Sequence, residues 1–423
     1  MISIKEIRDN KDAILLSLNK RGGDFSDILS EILFIDSRWK KANQEYEELR
    51  SRQKQLTKNY SANETLHSRQ EELQKLSETV KFLEKQASTL KVQLDSLLIT
   101  LPNIPDEDLK NGGKENNEII SIFGSVKQKA FNQLDHVSLC RNLGLIDYDR
   151  GVKLAGSGNW LYCDKGAILE WALINYFIAE HISDGYKFIL PPHILNYESG
   201  VGAGQFPKFI DDVFTINNDG KEGQKFLLPT SETALVNIYR DEVIAENLLP
   251  IKLFSYTPCY RKEAGGYGSE EKGTIRGHQF NKVEMFHFAH PNNWHQSFDE
   301  LVEKASKLVA NLGLHYRVTK LAAGDVSASM KRTYDIEVYI PSLGFKEVSS
   351  VSNSGTYQAM RANIRYKDTK KGKSDFVYTL NGSGLATSRL FAAIVEQNQD
   401  SQGGIVVPEI LRKWVGQEYI ANK

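Results

Sequence analysis

The sequence predicts an α+β protein in which an antiparallel β-sheet with helices packed on it follows a long antiparallel α-helical coiled-coil arm. Two observations carry this prediction: a heptad pattern confined to the first quarter, and alternating strand and helix patterns beyond it. With 423 residues, 40% of them hydrophobic and 25% charged, the chain suits two soluble domains. We expect an N-terminal domain over 1–104 and a larger domain over 105–423.

The arm is predicted from two series of apolar residues that follow the 4-3 spacing of a coiled-coil seam, separated by a polar break around Asn59 to Asn63. Helices of roughly 30 to 35 residues reach about 50 Å, longer than a small domain is wide, so the hairpin should project. Two ordinary bundle helices packed into a core remain the alternative. The series are Ile28, Ile32, Ile35, Trp39, Ala42, Tyr46 and Leu49, then Leu73, Leu76, Val80, Leu83, Ala87, Leu90, Leu94 and Leu97.

A basic cluster lies near the distal end of the first arm helix, at Arg50, Arg52, Lys54 and Lys58. A solvated helix face explains such a cluster, and so does contact with the phosphate backbone of a nucleic acid. The formal net charge of -1 favours neither. After the arm, residues 101–117 hold two prolines and two glycines among polar residues, which predicts a linker.

The second domain combines strand and helix patterns. Residues 166–182 predict a helix, 186–192 a strand stopped by proline, and 383–397 a long helix. Strand patterns in 333–340, 345–351 and 375–380 outnumber βαβ units, which favours an antiparallel sheet. Neither a Walker-type loop nor a Rossmann glycine motif is present.

Several features of the sequence argue against a disulfide-bonded protein, a zinc protein and a membrane protein. Cys140, Cys163 and Cys259 are scattered without a CxxC pair, so we expect neither disulfides nor a cysteine zinc site. His287 and His290 fall on opposite faces of a strand, which argues against zinc there. Charges interrupt the N-terminal apolar residues and no run of 18 apolar residues occurs, so we expect a cytoplasmic protein without a membrane span.

The most informative stretch is "PCYRKEAGGYG" with the returning "IRGHQFNKVEMFHF". Arg261 and Glu263, two apart at a strand end, should share a face; arginine suits phosphate and glutamate suits an amino group. A glycine-rich loop follows over 264–277, and the return strand offers Phe280 for stacking and Glu284. The unit resembles a clamp for a purine nucleotide, with a structural Arg-Glu hairpin as the alternative.

These residues are similar to the signature motifs of class II aminoacyl-tRNA synthetases. Residues 260–263 with Phe280 resemble the second motif, "NGSGLATSR" at 381–389 resembles the third, and "GYKFILPP" at 185–192 resembles the first, which lies at the dimer interface in that class. "PTSE", "FKEVSSVSN", "GQFPKF", "HQFNKVEM" and the hairpin narrow the resemblance to the seryl-tRNA synthetase family, across essentially the whole chain.

The resemblance implies an ATP-dependent ligase that forms seryl-adenylate and charges tRNA(Ser), and tRNA(Sec) where that RNA exists. It assigns Arg261, Arg389 and Glu347 to catalysis and Mg²⁺ to Glu347 and Ser350. The implied serine-binding residues are Thr230, Ser231, Glu232, Glu284, Asn381 and Ser383. The implied ATP-binding residues are Arg261, Lys262, Glu263, Phe280, Glu347, Val348, Ser349, Ser350 and Arg389.

The same resemblance implies a homodimer whose hairpin grips the long variable arm of the tRNA, with no DNA or membrane partner. Three positions depart from the usual family pattern: Ser388, Met360 and the pair Gly158-Asn159. A specialised paralogue that activates serine for a carrier protein or small molecule is therefore an alternative. A noncatalytic RNA-binding scaffold is a further one, disfavoured by the retained arginines and glutamates.

Overall fold

The computed structural model describes residues 1–58, 66–126, 129–216, 224–263, 273–370 and 372–421. The chain divides into two compact units, Met1–Ile104 and Pro105–Lys423. The predicted polar break at 59–63 and most of the glycine-rich loop, 264–272, lie outside the described residues. Within the described part of the chain, no helix is both long and apolar enough to cross a bilayer.

The first unit is a helical arm. It consists of α1 (Ile4–Asn19) and two 33-residue helices, α2 (Ser26–Lys58) and α3 (Leu66–Leu98). Ala42 packs against Ala87 and Leu90, and further along the pair Tyr46 packs against Val80 and Leu83, so α2 and α3 run antiparallel. The heptad prediction is confirmed because period-3.5 apolar positions keep one stripe of each helix facing the other.

At the other end of this helix pair, α1 closes a small core. Its Ile7 and Leu18 pack with Leu29 of α2 and with Leu94 and Leu98 of α3. Arg8 donates to both carboxylate oxygens of the buried Asp36, at 2.7 and 2.5 Å. Leu97, which the spacing placed on the seam, is half-buried, whereas its neighbour Leu98 is buried in this core.

The basic cluster of the arm is exposed, but two of its members are engaged within the arm. The Arg50 guanidinium donates to the Tyr46 hydroxyl at 2.8 Å, and Arg52 lies 3.1 Å from the Glu72 carboxylate of α3. Lys54 and Lys58 are exposed on the same terminal turns of α2. The cluster therefore retains a positive, solvent-facing surface even though Arg52 also joins α2 to α3.

The second unit is built on an eight-stranded sheet with the strand order β1-β11-β12-β13-β16-β10-β9-β4. Every pairing is antiparallel except that of β4 with β9. Its strands are β1 (Glu118–Phe123), β4 (Lys187–Ile189), β9 (Ile251–Tyr260), β10 (Gln279–Ala289), β11 (Tyr316–Lys320), β12 (Arg332–Ile340), β13 (Gly344–Gly355) and β16 (Tyr378–Ala386).

Shorter strands form four small sheets, β5-β7-β6, β15-β14-β8, β2-β3 and β17-β18. Their bounds are β2 (Ile146–Asp147), β3 (Leu161–Tyr162), β5 (Ile194–Asn196), β6 (Thr215–Ile216), β7 (Lys225–Leu227), β8 (Val243–Ala245), β14 (Arg365–Asp368), β15 (Lys373–Phe376), β17 (Ile405–Val406) and β18 (Tyr419–Ile420). The helices are α4 (His136–Asn142), α5 (Tyr148–Ala155), α6 (Lys165–Ser183), α7 (Tyr197–Gly202), α8 (Glu232–Leu235), α9 (Trp294–Asn311), α10 (Tyr357–Arg361), α11 (Thr387–Gln397) and α12 (Arg412–Val415).

The three longer helices, α6, α9 and α11, pack with the large sheet in one continuous core. Leu173 of α6, Leu301 of α9 and Phe391 of α11 are all buried there with Met285 and Val351 of the central strands. The predicted antiparallel sheet with helices packed on it is thus confirmed. The physical reason is that each helix presents an apolar stripe that water would otherwise cover.

One detail of the sequence prediction is wrong. Residues 383–386 belong to β16, and the helix predicted from 383 begins at Thr387, because Ser383 and Ala386 pair with strand β10. The segment predicted as a linker contains the boundary between the two units, which falls after Ile104. Beyond that boundary the Asp106 N–H donates to the Lys331 carbonyl, and Leu109 packs against Leu321 and Val326.

Candidate active site

A cavity of about 540 Å³ is lined by residues of the central strands and of the loops beside them. It contains twelve of the fifteen residues that the resemblance assigned to serine or ATP. These are Thr230, Glu232, Arg261, Glu263, Phe280, Glu284, Glu347, Val348, Ser350, Asn381, Ser383 and Arg389. Residues that are far apart in the sequence therefore converge in a single pocket large enough for a small-molecule site.

The other three do not line this cavity. Ser231 is fully buried and its hydroxyl has no hydrogen-bond partner in the structure. Ser349 is also fully buried, and its hydroxyl donates to the Ser383 carbonyl at 2.6 Å, which ties β13 to β16. Lys262 donates its backbone N–H to the Asp212 carbonyl. Val348 and Ser350, on either side of Ser349, line the cavity, so Ser349 faces away from it. Glu347 lines the cavity as well, because the pairing of β12 with β13 shifts register between Glu347 and Ser349.

At one end of the cavity, Glu284 of β10 forms a buried polar cluster. Its carboxylate is fully buried and accepts from the Asn381 amide at 3.0 Å and the Ser383 hydroxyl at 3.3 Å. Lys282 makes an ion pair with the same carboxylate and donates to the Thr230 hydroxyl at 2.6 Å. Because a buried carboxylate needs both an ionic partner and hydrogen bonds, Lys282 is integral to this end of the site.

A second carboxylate, Glu232, lies beside the first. It accepts from the Gln358 amide at 2.7 Å and from the Asn381 amide at 3.3 Å. Burial, followed by repulsion from Glu284, raises the pKa of Glu232 to about 7. Two carboxylates at one end of a pocket suit a ligand that brings a positive charge together with a hydroxyl hydrogen-bond donor.

Arginines supply the positive charge of the site. The Arg261 guanidinium lies over the Phe280 ring, 5.2 Å from its centroid, and Nε donates to the Pro229 carbonyl at 3.2 Å. Arg389 extends from the first turn of α11, where its Nε donates to the Ile275 carbonyl at 3.0 Å and its Nη1 to the Glu347 carbonyl at 2.9 Å. Backbone carbonyls thus aim both guanidinium groups, and Nη1 of Arg389 also lies 3.7 Å from the Glu347 carboxylate.

Glu263 reaches the cavity by a route that strand alternation does not explain. Strand β9 ends at Tyr260, and Glu263 adopts a left-handed backbone conformation with φ +51°. Its carboxylate accepts from Nε of Arg276 at 2.5 Å. Arg261 and Glu263 do face one cavity, but the reason predicted from the sequence is wrong, because a turn after the strand places Glu263.

An oxygen-rich corner lies where β12 and β13 pair. The Ser350 hydroxyl is 2.6 Å from a carboxylate oxygen of Asp335 and 3.1 Å from one of Glu347. The pKa of Asp335 lies well above its ordinary value because of burial and then the nearby Glu347 charge. Carboxylate and hydroxyl oxygens are the ligands that Mg²⁺ prefers.

The histidines singled out in the sequence do not converge. His287 is buried on β10, where Nε2 lies 2.8 Å from the Tyr186 hydroxyl, and burial lowers its pKa to about 3. His290 follows the strand and packs beside Tyr366. Among the described ranges, no group of three or more histidine, cysteine or acidic residues could hold a metal ion.

Sequence reasoning did not assign three residues that belong to the site: Lys282, Arg276 and Gln358. Lys282 could have been found, since it lies two residues before Glu284 on a strand and therefore shares its face. Arg276 lies on the return from the glycine-rich loop, and Gln358 comes from α10, so no spacing links them to Glu263 or Glu232. Only the tertiary contacts identify them.

The departures from the family pattern have ordinary structural surroundings. The Gly158 carbonyl accepts from the His278 N–H, and the Asn159 amide donates to carbonyls of the preceding turn, including that of Ala155 at 3.0 Å. The Ser388 carbonyl accepts from the buried Thr274 hydroxyl at 2.9 Å, and Met360 lies on α10.

Comparison with protein families agrees with this geometry. Residues 214–398 match the tRNA synthetase class II core domain (G, H, P, S and T), and residues 1–105 match the seryl-tRNA synthetase N-terminal domain. The antiparallel sheet and its cavity are therefore those of a class II aminoacyl-tRNA synthetase.

Individual relatives indicate which family of class II synthetases the chain belongs to. The chain is 50% identical to serine-tRNA ligase 2 of Clostridium acetobutylicum, over 99% of this chain and 100% of the relative, and 39% identical to serine-tRNA ligase of Nitratidesulfovibrio vulgaris, over 98% of each. The crystal structure of seryl-tRNA synthetase from Pyrococcus horikoshii complexed with ATP superimposes with a TM-score of 0.92 at 29% identity, covering 100% of both chains. The chain belongs to the seryl-tRNA synthetase family.

Proposed function

We propose that this chain uses ATP to activate L-serine as seryl-adenylate and transfers the seryl group to the 3′ end of tRNA(Ser). One observation carries the proposal: a single cavity holds two adjacent carboxylates, Glu232 and Glu284, together with two backbone-aimed arginines, Arg261 and Arg389. The carboxylates suit the ammonium and hydroxyl of serine, and the arginines suit phosphate oxygens. The full-length match to serine-tRNA ligases favours tRNA over another acceptor.

Serine is assigned to the carboxylate end. In this assignment Glu232 faces the ammonium group, and Glu284 accepts a hydrogen bond from the side-chain hydroxyl. Thr230, Asn381 and Ser383 complete the pocket, and Lys282 forms an ion pair with Glu284. Ser231, buried away from the cavity, supports the loop that carries its two neighbours.

ATP is assigned to the arginine end. Arg261 contacts the α-phosphate, Arg389 the γ-phosphate, Phe280 stacks on adenine, and Glu263 accepts from the adenine amino group. Lys262, Val348 and Ser349 lie in the segments that frame this end, Val348 facing the cavity and Ser349 bonded behind it. The ion pair of Glu263 with Arg276 orients its carboxylate before ATP arrives.

The chemistry joins two anions. A serine carboxylate oxygen attacks the α-phosphorus, a new O–P bond forms, and the bond to the departing pyrophosphate breaks with its electrons. The chain must hold the reactants in line and offset their repulsion, which are tasks of positioning and fixed positive charge. Arg261 and Arg389 perform them, and the carboxylate needs no general base because it is already ionised.

Mg²⁺ fits the corner formed by Glu347 and Ser350, whose oxygens lie 3.1 Å apart. When bound there, the ion would neutralise charge on the ATP phosphates. The residues of the chain contribute by holding that corner in shape: Asp335 engages the Ser350 hydroxyl at 2.6 Å, and Arg389 grips the Glu347 carbonyl.

Selectivity for serine follows from hydrogen bonding to its hydroxyl. A site that buries a group for one hydroxyl can reject an analogue that lacks it by roughly 10⁴ to 10⁵, because the buried partner is left unsatisfied. Glu284, fully buried, is such a group, so alanine should be a very poor substrate. Threonine must be excluded sterically by its extra methyl group.

The helical arm of residues 1–104 is assigned to the tRNA, and the cytoplasm is the compartment where that tRNA is charged. The exposed lysines at the end of α2, Lys54 and Lys58, offer contacts to the phosphate backbone. Recognition by shape and backbone suits a helical surface of this kind. Tyr46, on the seam, is buried and serves the arm itself.

We assign the interface of a homodimer to α6 and β4. Large apolar side chains are exposed there: Leu190 is 71% exposed and Trp171 and Ile182 more than half. Large exposed apolar side chains such as these are expected at an interaction site. Sedimentation velocity should show a dimer, and Leu190→Asp with Trp171→Asp should shift it towards monomer; an unshifted dimer would place the interface elsewhere.

The activation step is tested by amino-acid-dependent ATP-pyrophosphate exchange with serine, threonine, alanine, glycine and cysteine. We expect exchange with serine, lost in Glu284→Ala. Glu300→Ala is the matched control, because Glu300 also holds a lysine, Lys252 at 2.7 Å, but lies outside the cavity. Absence of exchange with all five amino acids would refute the proposed activity.

The transfer step is tested with tRNA(Ser). Lys54→Ala with Lys58→Ala should weaken charging and reduce its salt dependence while leaving pyrophosphate exchange unchanged. Lys40→Ala with Lys41→Ala, elsewhere on α2, is the matched control. Equal loss of charging in both double variants would argue against recognition by the end of the helix.

A further inference from the structure

Glu170 lies in the second turn of α6 and joins three segments that are remote in the sequence. Its side chain is buried, and one carboxylate oxygen, Oε1, accepts both the Thr387 hydroxyl and, at 2.8 Å, the Asn281 amide. Thr387 opens α11, and Asn281 belongs to β10. One atom therefore connects α6 to the two segments that carry Arg389 and Phe280.

The two bonded residues alternate with residues of the active site. Phe280 and Lys282, on either side of Asn281, line the cavity, and so do Ala386 and Ser388 on either side of Thr387. Asn281 and Thr387 do not line it. Glu170 thus contacts both segments from behind, on the face opposite to the one that meets the proposed ATP.

Further hydrogen bonds make this junction rigid. The Thr387 hydroxyl also lies 3.2 Å from the Asn281 carbonyl oxygen, and the Tyr256 hydroxyl donates to Oδ1 of Asn281 at 3.1 Å. The side-chain oxygen, side-chain nitrogen and carbonyl of Asn281 are all engaged. Any displacement of Glu170 would therefore be transmitted to the backbone between Phe280 and Lys282.

The burial and hydrogen bonding of Glu170 indicate that its carboxylate does more than fill space in the core. Among the described residues it forms no ion pair, and its Oε2 has no hydrogen-bond partner. Burial raises the pKa of Glu170 to about 7, although the hydrogen bonds from Thr387 and Asn281 lower it. An apolar side chain of similar size would avoid this desolvation cost, so stability alone does not favour glutamate here.

We propose that Glu170 is a positioning residue that sets the distance between Phe280 and Arg389, and so matches the site to the adenine and phosphate ends of ATP. The inference rests on the proposed function and extends it to a residue that does not line the cavity. The serine end should be largely independent, because Lys282 has its own anchors in Glu284 and Thr230.

The test compares Glu170→Leu and Glu170→Gln in the full-length protein. Leucine removes the acceptor, whereas glutamine keeps an oxygen at Oε1 and places its amide where Oε2 has no partner. We expect the KM for ATP in pyrophosphate exchange to rise at least about tenfold in the leucine variant, since hydrogen bonds to a buried polar group are lost. The KM for serine should stay within about twofold, and glutamine should restore the wild-type KM for ATP.

Two further variants are measured in case Glu170→Leu folds poorly. Thr387→Val removes one hydroxyl at nearly constant shape and should raise the KM for ATP in the same direction. Glu300→Ala is the matched control: it removes another carboxylate of this unit, outside the cavity, and should leave the KM for ATP unchanged.

An equal rise of the KM for serine and for ATP, or a glutamine variant no better than leucine, would overturn the positioning role. The Kd for ATP, measured by calorimetry without serine, separates this inference from the proposed function. If wild-type protein binds ATP but catalyses no amino-acid-dependent exchange, the proposed serine activation is refuted. The role of Glu170 would still be decided by the ratio of the Kd for ATP in Glu170→Leu to that in wild type.

Discussion

Replacing Glu232 with glutamine should stabilise the protein while abolishing serine activation. In the free protein, burial and the neighbouring Glu284 raise the pKa of Glu232 to about 7, from an ordinary value of 4.5. A raised carboxyl pKa means that the folded state holds the proton more tightly than the unfolded chain. Ionised Glu232 therefore costs stability, and the cost develops as the pH rises from 4.5 to 7.

The magnitude follows from the two pKa values. A difference of 2.5, at ~1.36 kcal/mol per pKa unit, gives about 3 kcal/mol above pH 7 and roughly 1 kcal/mol at pH 5. Glutamine keeps an oxygen for the Gln358 amide but carries no charge. We expect the free energy of unfolding of Glu232→Gln to exceed that of wild type by those amounts, which corresponds to roughly 4 °C in Tm at pH 8 for a unit of this size.

The assay is thermal unfolding of both proteins at pH 5 and pH 8, paired with serine-dependent pyrophosphate exchange. Glu118→Gln is a control of opposite sign: hydrogen bonding by Lys110 lowers the pKa of Glu118, so its ionised form favours the folded state above its unfolded pKa, and that contribution is lost as the pH falls. An unchanged or lower Tm for Glu232→Gln at pH 8 would refute a destabilising carboxylate. Retained serine exchange would refute its role with the ammonium group.

Three further predictions concern the same cavity. Lys282→Met should lower the free energy of unfolding by about 3 to 5 kcal/mol, because it leaves Glu284 buried without its ionic partner; an unchanged urea midpoint would contradict this. Gly277→Ala should raise the KM for ATP, since a Cβ at residue 277 would lie 2.3 Å from the Trp160 ring and overpacking displaces the loop; wild-type exchange kinetics would show that the ring yields freely. Arg276→Ala should change the free energy of unfolding by no more than about 1 kcal/mol, as partly exposed ion pairs contribute little, yet raise the KM for ATP through the released Glu263.

The two carboxylates and two arginines show how far motif reasoning reaches. Glu284, Arg261 and Arg389 lie in motifs read directly from the sequence, and the structure brings all three into one cavity. Ser231 and Ser349 lie in the same motifs but do not line it. A motif identifies a segment, whereas the direction of each side chain depends on the pairing of that segment with its neighbours.

What the sequence by itself determined is local and periodic. The heptad spacing predicts the seam of α2 and α3 because helix geometry fixes which residues share a stripe. The antiparallel sheet and the family of the chain also follow from patterns within short segments, confirmed by the structure and the relatives.

The tertiary structure alone decided how those segments meet. Strand β16 ends and α11 begins at Thr387, since pairing with β10 outweighs the helical pattern of the preceding residues. The tertiary structure also raised the pKa of Glu232 by burying it beside a second carboxylate, and it brought Glu170 to Asn281 and Thr387 across more than 100 and 200 residues of chain. The physical reason is that desolvation, Coulomb interaction and hydrogen bonding depend on distances in space, which sequence spacing fixes only within a single helix or strand.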